Sequence, residues 1–93
     1  MIRTIRHKGM KRLFEEGDPR GVPSHLAPKI RRMLAQLHVS EEPDDMGGIP
    51  GWRLHLLKGT RAGQWSITVS GNMRIVFRFV NKNAFDVDLV DYH

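Results

Sequence analysis

Four stretches in the second half of the chain alternate apolar and polar side chains, as the strands of a half-buried β-sheet do. This alternation predicts strands at residues 52–57, 64–69, 73–79 and 84–91. Short runs rich in glycine, serine and asparagine separate the last three stretches, and we expect three-residue hairpin loops at residues 70–72 and 81–83. This arrangement favours four sequential antiparallel strands.

The first half of the chain has a different pattern. Residues 1–6 alternate apolar and basic side chains, which predicts a short edge strand. Apolar side chains at helical spacing then predict a helix at about residues 8–16 and a second at about 25–38, with Ser24 as its N-cap. Residues 40–51 contain glycines, prolines and four acidic residues, and we expect a solvated loop.

Together the elements predict an α+β fold, in which two N-terminal helices pack on one face of a curved, mainly antiparallel sheet. Residues 1–93 suffice for one domain with one modest core. Matching apolar residues across the hairpins gives the expected core pairs Trp65–Phe77, Ile67–Ile75, Ile75–Leu89, Phe77–Val87 and Phe79–Phe85. On the other face, this register places Arg78 opposite Asp86 and Arg74 opposite Val90.

Composition narrows the class of protein. The chain has no cysteine, which excludes disulfides and thiolate metal sites, and no apolar run approaches the roughly 20 residues that span a bilayer. We therefore expect a soluble protein of the cytoplasm with no membrane partner. The net charge of +5, with an isoelectric point near 10.2, favours polyanionic partners such as nucleic acid.

Motifs for several common chemistries are missing from the sequence. It has neither a glycine-rich phosphate loop nor a serine or cysteine nucleophile motif. Three histidines, His7, His25 and His38, have no metal-ligand spacing, and we expect them on the surface. The pattern therefore indicates neither a metal site nor a bound cofactor.

The alternation does place cations and an imidazole on the open face of the sheet, away from the helices. Arg53 and His55 alternate with the core residues of the first strand, and Arg74 lies on the same face of the third. Lys58 and Arg61 lie in a glycine-bracketed loop beyond the first strand. Cations beside imidazoles suit a phosphate that gains negative charge during a reaction. The alternative is that each is an ordinary solvated surface group.

The chain ends with Asp91, Tyr92 and His93, directly after the last predicted strand. A carboxylate, a phenol and an imidazole can transfer protons if the strand holds them in place, whereas a frayed terminus cannot. In the expected register, Arg74 lies diagonal to Tyr92. The open face and the tail therefore form the candidate site, and an inert, solvated tail is the alternative.

Several stretches of this sequence resemble the HigB branch of the RelE-type toxins, also called the plasmid maintenance killer family. The main ones are His55–Ile67, the strand opening Asn72–Ile75, and the ending Asp91–His93. An N-terminal pattern that leads to Leu13-Phe14, and the later Gly21-Val22-Pro23, fit the same family. The resemblance extends over nearly the whole chain, and the order and spacing of its parts are specific.

The resemblance implies a bacterial toxin that cuts translated mRNA in the A site of the 70S ribosome, without metal or cofactor. The implied fold is similar to that of small microbial ribonucleases. The implied catalytic residues are His55, Lys58, Arg74, Asp91, Tyr92 and His93. From the basic open face, the residues expected to contact RNA and the ribosome are Arg53, Lys58, Arg61 and Arg74.

The resemblance also implies partners and a reaction. The implied protein partner is a helix-turn-helix antitoxin similar to HigA, encoded beside the toxin, and operator DNA is reached only through that antitoxin. In the implied reaction, the RNA 2′-hydroxyl attacks the adjacent phosphate and expels the 5′-oxygen. We expect Arg74 and Lys58 to stabilise the phosphate charge and His93 to protonate the leaving oxygen.

The remaining roles are less narrowly defined. Asp91 is a candidate base or an orienting group for an imidazole, and His55 is a second candidate acid or base. Tyr92 is expected to stack on a base or to donate to the phosphate. The alternative function is a non-catalytic module that binds RNA or protein through the same face, including a degenerate toxin that retains only antitoxin binding.

Overall fold

The computed structural model describes residues 1–91. Its helices are α1, Lys8–Glu16, and α2, Ala27–Val39, and short 3₁₀ turns lie at Pro43–Met46 and Gly59–Arg61. The strands are β1, His55–Leu56; β2, Trp65–Thr68; β3, Met73–Val80; and β4, Asn83–Asp91. They form one sheet in the order β1-β2-β3-β4, with every neighbouring pair antiparallel.

The core lies between the two helices and one face of this sheet. Its fully or almost fully buried side chains include Met10, Leu13, Ile30, Met33, Leu34, Leu37, Ile67, Ile75, Phe77 and Val87. These residues recur at helical spacing in α1 and α2, and they include alternate positions in β2 and β3. Burial of this continuous apolar surface is the main stabilising term of the fold. The predicted α+β class is confirmed.

Helix α1 agrees with its predicted bounds, but one of its caps was not expected. The Nδ1 atom of His7 accepts a hydrogen bond from the backbone N–H of Met10, at 3.0 Å. The backbone N–H of Ile2 similarly donates to Nδ1 of His38, at 3.1 Å. Both imidazoles are half-buried, so the prediction that they are plain surface residues was wrong, whereas His25 is exposed as expected.

Helix α2 begins two residues later than predicted, and Ser24 is not its N-cap. The cap position is Leu26, and no side chain accepts a hydrogen bond there. Residues 24–26 form a turn instead, in which the Ser24 carbonyl accepts from the backbone N–H of Ala27. Pro28 follows in the first turn of the helix and has no N–H to satisfy, which reduces the need for a capping side chain.

The predicted edge strand at residues 1–6 is present only as two isolated parallel bridges. Ile2 pairs with Ala84, and Ile5 pairs with Val87. Backbone hydrogen bonds accompany both bridges, including that from Arg3 N–H to the Ala84 carbonyl at 2.8 Å. The segment covers the outer edge of β4, so the sheet is antiparallel apart from this border.

Strand β1 is much shorter than the predicted strand at residues 52–57. Arg53 has φ of 49°, in the left-handed region, and this turn keeps the chain before it from continuing the strand. The Trp52 carbonyl still accepts the Thr68 N–H at 2.7 Å, so the segment stays beside the sheet. Only His55 and Leu56 form regular pairs with β2.

The register of the second hairpin differs from the prediction at its tip. Its turn has two residues, Asn81 and Lys82, both with positive φ, which is the type I′ geometry of tight hairpins. Consequently Phe79 faces Ala84 and Arg78 faces Phe85, so the expected pairs Phe79–Phe85 and Arg78–Asp86 were wrong.

A β-bulge at Asp86 then restores the predicted register. Asp86 has φ of 53°, and it occupies one extra position on β4 between the pairs formed by Val76 and Arg78. Beyond the bulge, Ile75 faces Leu89 as predicted. Arg78 and Asp86 still approach each other, with Nε and Oδ2 3.8 Å apart, but both side chains are exposed and the pair contributes little stability.

Replacing Lys82 with glycine should raise the free energy of unfolding by about 0.5 kcal/mol, because glycine tolerates the positive φ that strains other residues. The matched control is Lys82→Ala, which removes the same exposed ion pair with Glu41 but keeps the Cβ atom. Chemical denaturation of the three proteins measures the difference. Equal destabilisation by glycine and alanine would contradict the strain argument.

Candidate active site on the open face of the sheet

A cleft of about 370 Å³ lies on the sheet face that points away from the helices. It is lined by Arg53, His55, Leu57, Ser66, Thr68 and Arg74. The alternation within β2 and β3 explains this position, since Ile67 and Ile75 are fully buried on the helix side. Three side chains that the sequence predicted for the site, Arg53, His55 and Arg74, therefore meet at this cleft.

The β1 end of the cleft carries His55 and Arg53. His55 pairs with Ser66 of β2, and its side chain is exposed. Arg53 lies two residues earlier in the left-handed conformation, which costs a non-glycine residue about 1–2 kcal/mol. Such strained residues occur preferentially at functional sites. Here the strained turn places an arginine beside an imidazole at the mouth of the cleft.

Arg74 forms the other wall of the cleft. It faces Thr68 on one side and Val90 on the other, as the predicted register required. Its Nη1 donates to the carbonyls of Ser70 at 2.8 Å, Met73 at 3.1 Å and Gly71 at 3.3 Å. The guanidinium is thus fastened over the β2–β3 turn, and its charge is held in a fixed place.

The same turn also holds Asp91. The Asn72 side-chain amide donates to Oδ1 of Asp91 at 2.6 Å, and Asp91 faces Met73 across the strands. Because Arg74 is fastened to the carbonyls of this turn, the turn positions two candidate residues at once. Asp91 is exposed and does not line the cleft. It pairs with Met73, which packs against the core, so the register places it on the face of the sheet opposite to that of Arg74.

The loop after β1 holds Lys58 and Arg61, and neither lines the cleft. Lys58 is exposed and directly precedes the 3₁₀ turn. Arg61 is half-buried, and its Nη1 donates to Oε1 of Gln64 at 3.2 Å. The Leu57 N–H also donates to the Gln64 carbonyl, which closes the base of the loop. Part of the Arg61 donor capacity is therefore used inside the protein.

Three residues at or near the cleft were not predicted for the site, and two predicted residues lie outside the part of the chain that the structure describes. Ser66 and Thr68 could have been added from the alternation alone, since they share the face of Arg74. No periodic signal in the sequence marks Asn72. Tyr92 and His93, predicted for the site from the tail, lie outside the described residues.

The chemistry of the lining is cationic. Arg53 and Arg74 supply two permanent positive charges, and His55 supplies a group that can donate or accept a proton. Within residues 1–91, no three histidine, cysteine or carboxylate side chains converge as metal ligands would. In the same range, neither helix has the length and apolar composition needed to cross a bilayer. The arrangement suits a phosphodiester placed between two guanidinium groups beside an imidazole.

If Asp91 takes part in the RNA cleavage that the resemblance implies, loss of the Asn72 side chain should lower its rate by about 10- to 100-fold, because small misplacements of reacting groups are costly. Single-turnover kinetics of Asn72→Ala should show this loss in the cleavage step, with little change in binding. Asn83→Ala removes a local amide contact in the other hairpin and serves as the control. Equal rates for the two variants would contradict a positioning role of Asn72.

Two comparisons with known proteins identify the family of the chain. Residues 3–93 match the model of the RelE-like toxin of the type II toxin–antitoxin system HigB. The chain is also 41% identical, over the full length of both proteins, to endoribonuclease HigB of Proteus vulgaris. The resemblance found in the sequence is confirmed, and the chain belongs to the HigB family of RelE-like type II toxins.

Proposed function

We propose that this chain is an endoribonuclease that cleaves translated mRNA in the A site of the ribosome and so stops protein synthesis and growth. The activity named for the Proteus relative supports RNA cleavage. The main structural support is the cleft in which Arg53, His55 and Arg74 meet; Asp91 does not line it but is tied to the adjoining β2–β3 turn through Asn72. Its size and cationic lining suit one phosphodiester and its neighbouring sugar.

The proposed reaction is an intramolecular transfer at phosphorus. The 2′-hydroxyl attacks the adjacent phosphate, the bond to the 5′-oxygen breaks, and the product is a 2′,3′-cyclic phosphate or, after hydrolysis, a 3′-phosphate. The proton of the 2′-hydroxyl passes to a base, for which Asp91 and His55 are the candidates. Arg74 and Lys58 stabilise the negative charge that grows on the phosphate, and His93 protonates the leaving 5′-oxygen.

The partners follow from this role. A type II toxin has an antitoxin, and we place its gene beside that of the toxin and expect a helix-turn-helix protein similar to HigA. The pair binds operator DNA through the antitoxin alone. The toxin acts in the cytoplasm, where its ribosomal substrate is. Arg53, Lys58 and Arg61 extend a basic surface from the cleft toward the RNA backbone, with Arg61 limited by its contact with Gln64.

Replacing His93 with alanine should lower the cleavage rate by about 100- to 10,000-fold if it is the general acid. Binding to ribosomes should change little, since Lys and Arg charges dominate such contacts. Single-turnover cleavage of message on programmed ribosomes, with binding measured in parallel, provides the test. His25→Ala is the matched control, because that imidazole is exposed on the helical side of the molecule.

Two outcomes would count against the proposal. If His93→Ala cuts at the wild-type rate, His93 is not the general acid and that role must pass to His55 or Asp91. If the wild-type chain neither cuts message nor arrests growth when expressed alone, the chain is a binding module rather than a nuclease. Growth arrest that is relieved by co-expression of the neighbouring small gene is the result expected of a toxin with its antitoxin.

A further inference from the structure

Two hydroxyl side chains, those of Ser66 and Thr68, lie on the floor of the cleft. They occupy alternate positions of β2, so both face the open side of the sheet, while Ile67 between them is fully buried on the helix side. These two groups are the floor hydroxyls. The reaction described above uses neither of them.

The register of the sheet places each floor hydroxyl beside a residue of a cleft wall. Ser66 pairs with His55 of β1. Thr68 pairs with Arg74 of β3. Directly opposite residues of an antiparallel pair have Cβ atoms only about 4.5–5.5 Å apart. A phosphate bound between the imidazole of one wall and the guanidinium of the other therefore lies over β2, where the floor hydroxyls are.

Ser66 is a buried polar residue, with 4% of its surface exposed. It also pairs with Val76 of β3, which is fully buried. Within residues 1–91 its hydroxyl makes no hydrogen bond, and in that range no side-chain oxygen is buried without a partner. The small exposed area of Ser66 therefore includes its oxygen atom, at the base of the cleft. A hydroxyl with so little access to water gains from a ligand oxygen to which it can donate.

Thr68 is half-buried and is held in place through its backbone. Its N–H donates to the carbonyl of Trp52 at 2.7 Å, directly before the strained turn at Arg53. Its branched Cβ atom restricts the side chain to few rotamers. Among the described residues, its hydroxyl likewise makes no hydrogen bond. The group is thus positioned before substrate binds, and it can donate to a ligand in the cleft.

The chemistry of a phosphodiester suits these two donors. A serine or threonine hydroxyl can donate one hydrogen bond, and the non-bridging oxygens of a phosphate accept. Those oxygens gain negative charge as the 2′-hydroxyl attacks. Nη1 of Arg74 is already fastened to the Ser70 carbonyl at 2.8 Å, so this guanidinium approaches a phosphate from its own wall. The floor hydroxyls approach from a different direction.

We propose that the hydroxyls of Ser66 and Thr68 donate hydrogen bonds to the non-bridging oxygens of the scissile phosphodiester, an inference that rests on the proposed nuclease function. Both are then catalytic residues, because these hydrogen bonds strengthen as charge grows on the phosphate. The floor hydroxyls neither attack the phosphate nor give up a proton. They hold it between the walls and stabilise the transition state with neutral donors.

The first test removes one hydroxyl at a time. Ser66→Ala deletes the oxygen atom, and Thr68→Val replaces the hydroxyl with a methyl group. Each should slow single-turnover cleavage of message on programmed ribosomes by about 10- to 100-fold, with little change in ribosome binding. Thr68→Ser restores a hydroxyl and should recover most of the rate. Ser40→Ala is the matched control, because it deletes a buried hydroxyl that bonds the Gln36 carbonyl at the end of α2 and should cleave as the wild type does.

A second measurement separates contact with the phosphate from an effect on the fold. The substrate is a message in which sulfur replaces one non-bridging oxygen of the scissile phosphate, with each diastereomer measured separately. Sulfur is a weak hydrogen-bond acceptor, so the wild type should cut such a message more slowly. In a variant without the hydroxyl that faces the replaced oxygen, the additional slowing by sulfur should largely disappear for one diastereomer.

Two results would overturn this proposal while the nuclease assignment stood. One is cleavage at the wild-type rate by both Ser66→Ala and Thr68→Val. The other is slower cleavage with an unchanged effect of sulfur, since the hydroxyls would then act on the fold or on His55 and not on the phosphate. Failure of the proposed function has a different signature, because the wild-type chain itself would then leave message uncut on programmed ribosomes, and both proposals would be wrong.

Discussion

Arg74→Ala should cleave message about 100- to 1,000-fold more slowly than the wild type in single-turnover experiments on programmed ribosomes. The reason is electrostatic. Arg74 lines the cleft, and its guanidinium is held in place by carbonyls of the β2–β3 turn, so that its charge needs no reorganisation as the phosphate becomes more negative. Ribosome binding should fall much less, because one contact among many cations is lost.

The Arg74→Ala variant also loses the hydrogen bonds from Arg74 to the turn, so a control must separate the loss of charge from a change in structure. Arg74→Lys restores the charge without the planar fork of donors and should recover only part of the rate. Arg78→Ala changes the same residue type on the same strand, at an exposed position outside the cleft lining, and should cleave nearly as the wild type. Comparable rates for the Arg74 and Arg78 variants would exclude a special role for Arg74.

Gly9→Ala should destabilise the protein by about 3 kcal/mol, the largest stability effect that we expect from a single methyl group. A Cβ atom on Gly9 would overlap the carbonyl of Gly21, and a Cβ atom on Gly21 would overlap the Cα atom of Gly9. These contacts are between backbones, so no flexible side chain can move aside. The start of α1 would have to separate from the loop that leads to α2.

Denaturant unfolding of the Gly9 variant against Gly48→Ala tests this explanation. A Cβ atom at Gly48 meets no heavy atom within 4 Å, and its backbone does not need positive φ. The control should therefore unfold near the wild-type midpoint. Similar midpoints for the two variants would mean that the Gly9–Gly21 contact can relax at little cost, and that the two helical segments are less tightly joined than their geometry indicates.

Regular elements of the fold could be predicted from the sequence, whereas irregular ones could not. Alternation in β2, β3 and β4 predicted the pairing of these strands, including Ile67 with Ile75 and Arg74 with Val90, because one face is buried and a slip by one residue would expose it. Ser24 misled the assignment of the α2 cap, since an N-cap preference is a local tendency that the turn at residues 24–26 overrides.

The residues of the candidate site could also be predicted only in part. Arg53 and His55 were correctly placed on the open face, although the regular strand there is only two residues long, because Leu54 between them still packs against the core. The contact of Arg61 with Gln64 and that of Asn72 with Asp91 could not have been predicted. Each depends on the detailed path of a loop, which no periodic pattern encodes.

Two features of the second hairpin, the type I′ turn at its tip and the bulge at Asp86, together determine whether the length of the tip can change. The bulge divides the hairpin into an outer part, which includes Asn81 and Lys82, and an inner part, which includes Arg74 and Asp91. A one-residue insertion in the outer turn can be offset by loss of the bulge, since both change the count of β4 by one. We therefore expect that the tip can change in length by one residue while the spacing of the candidate site is preserved.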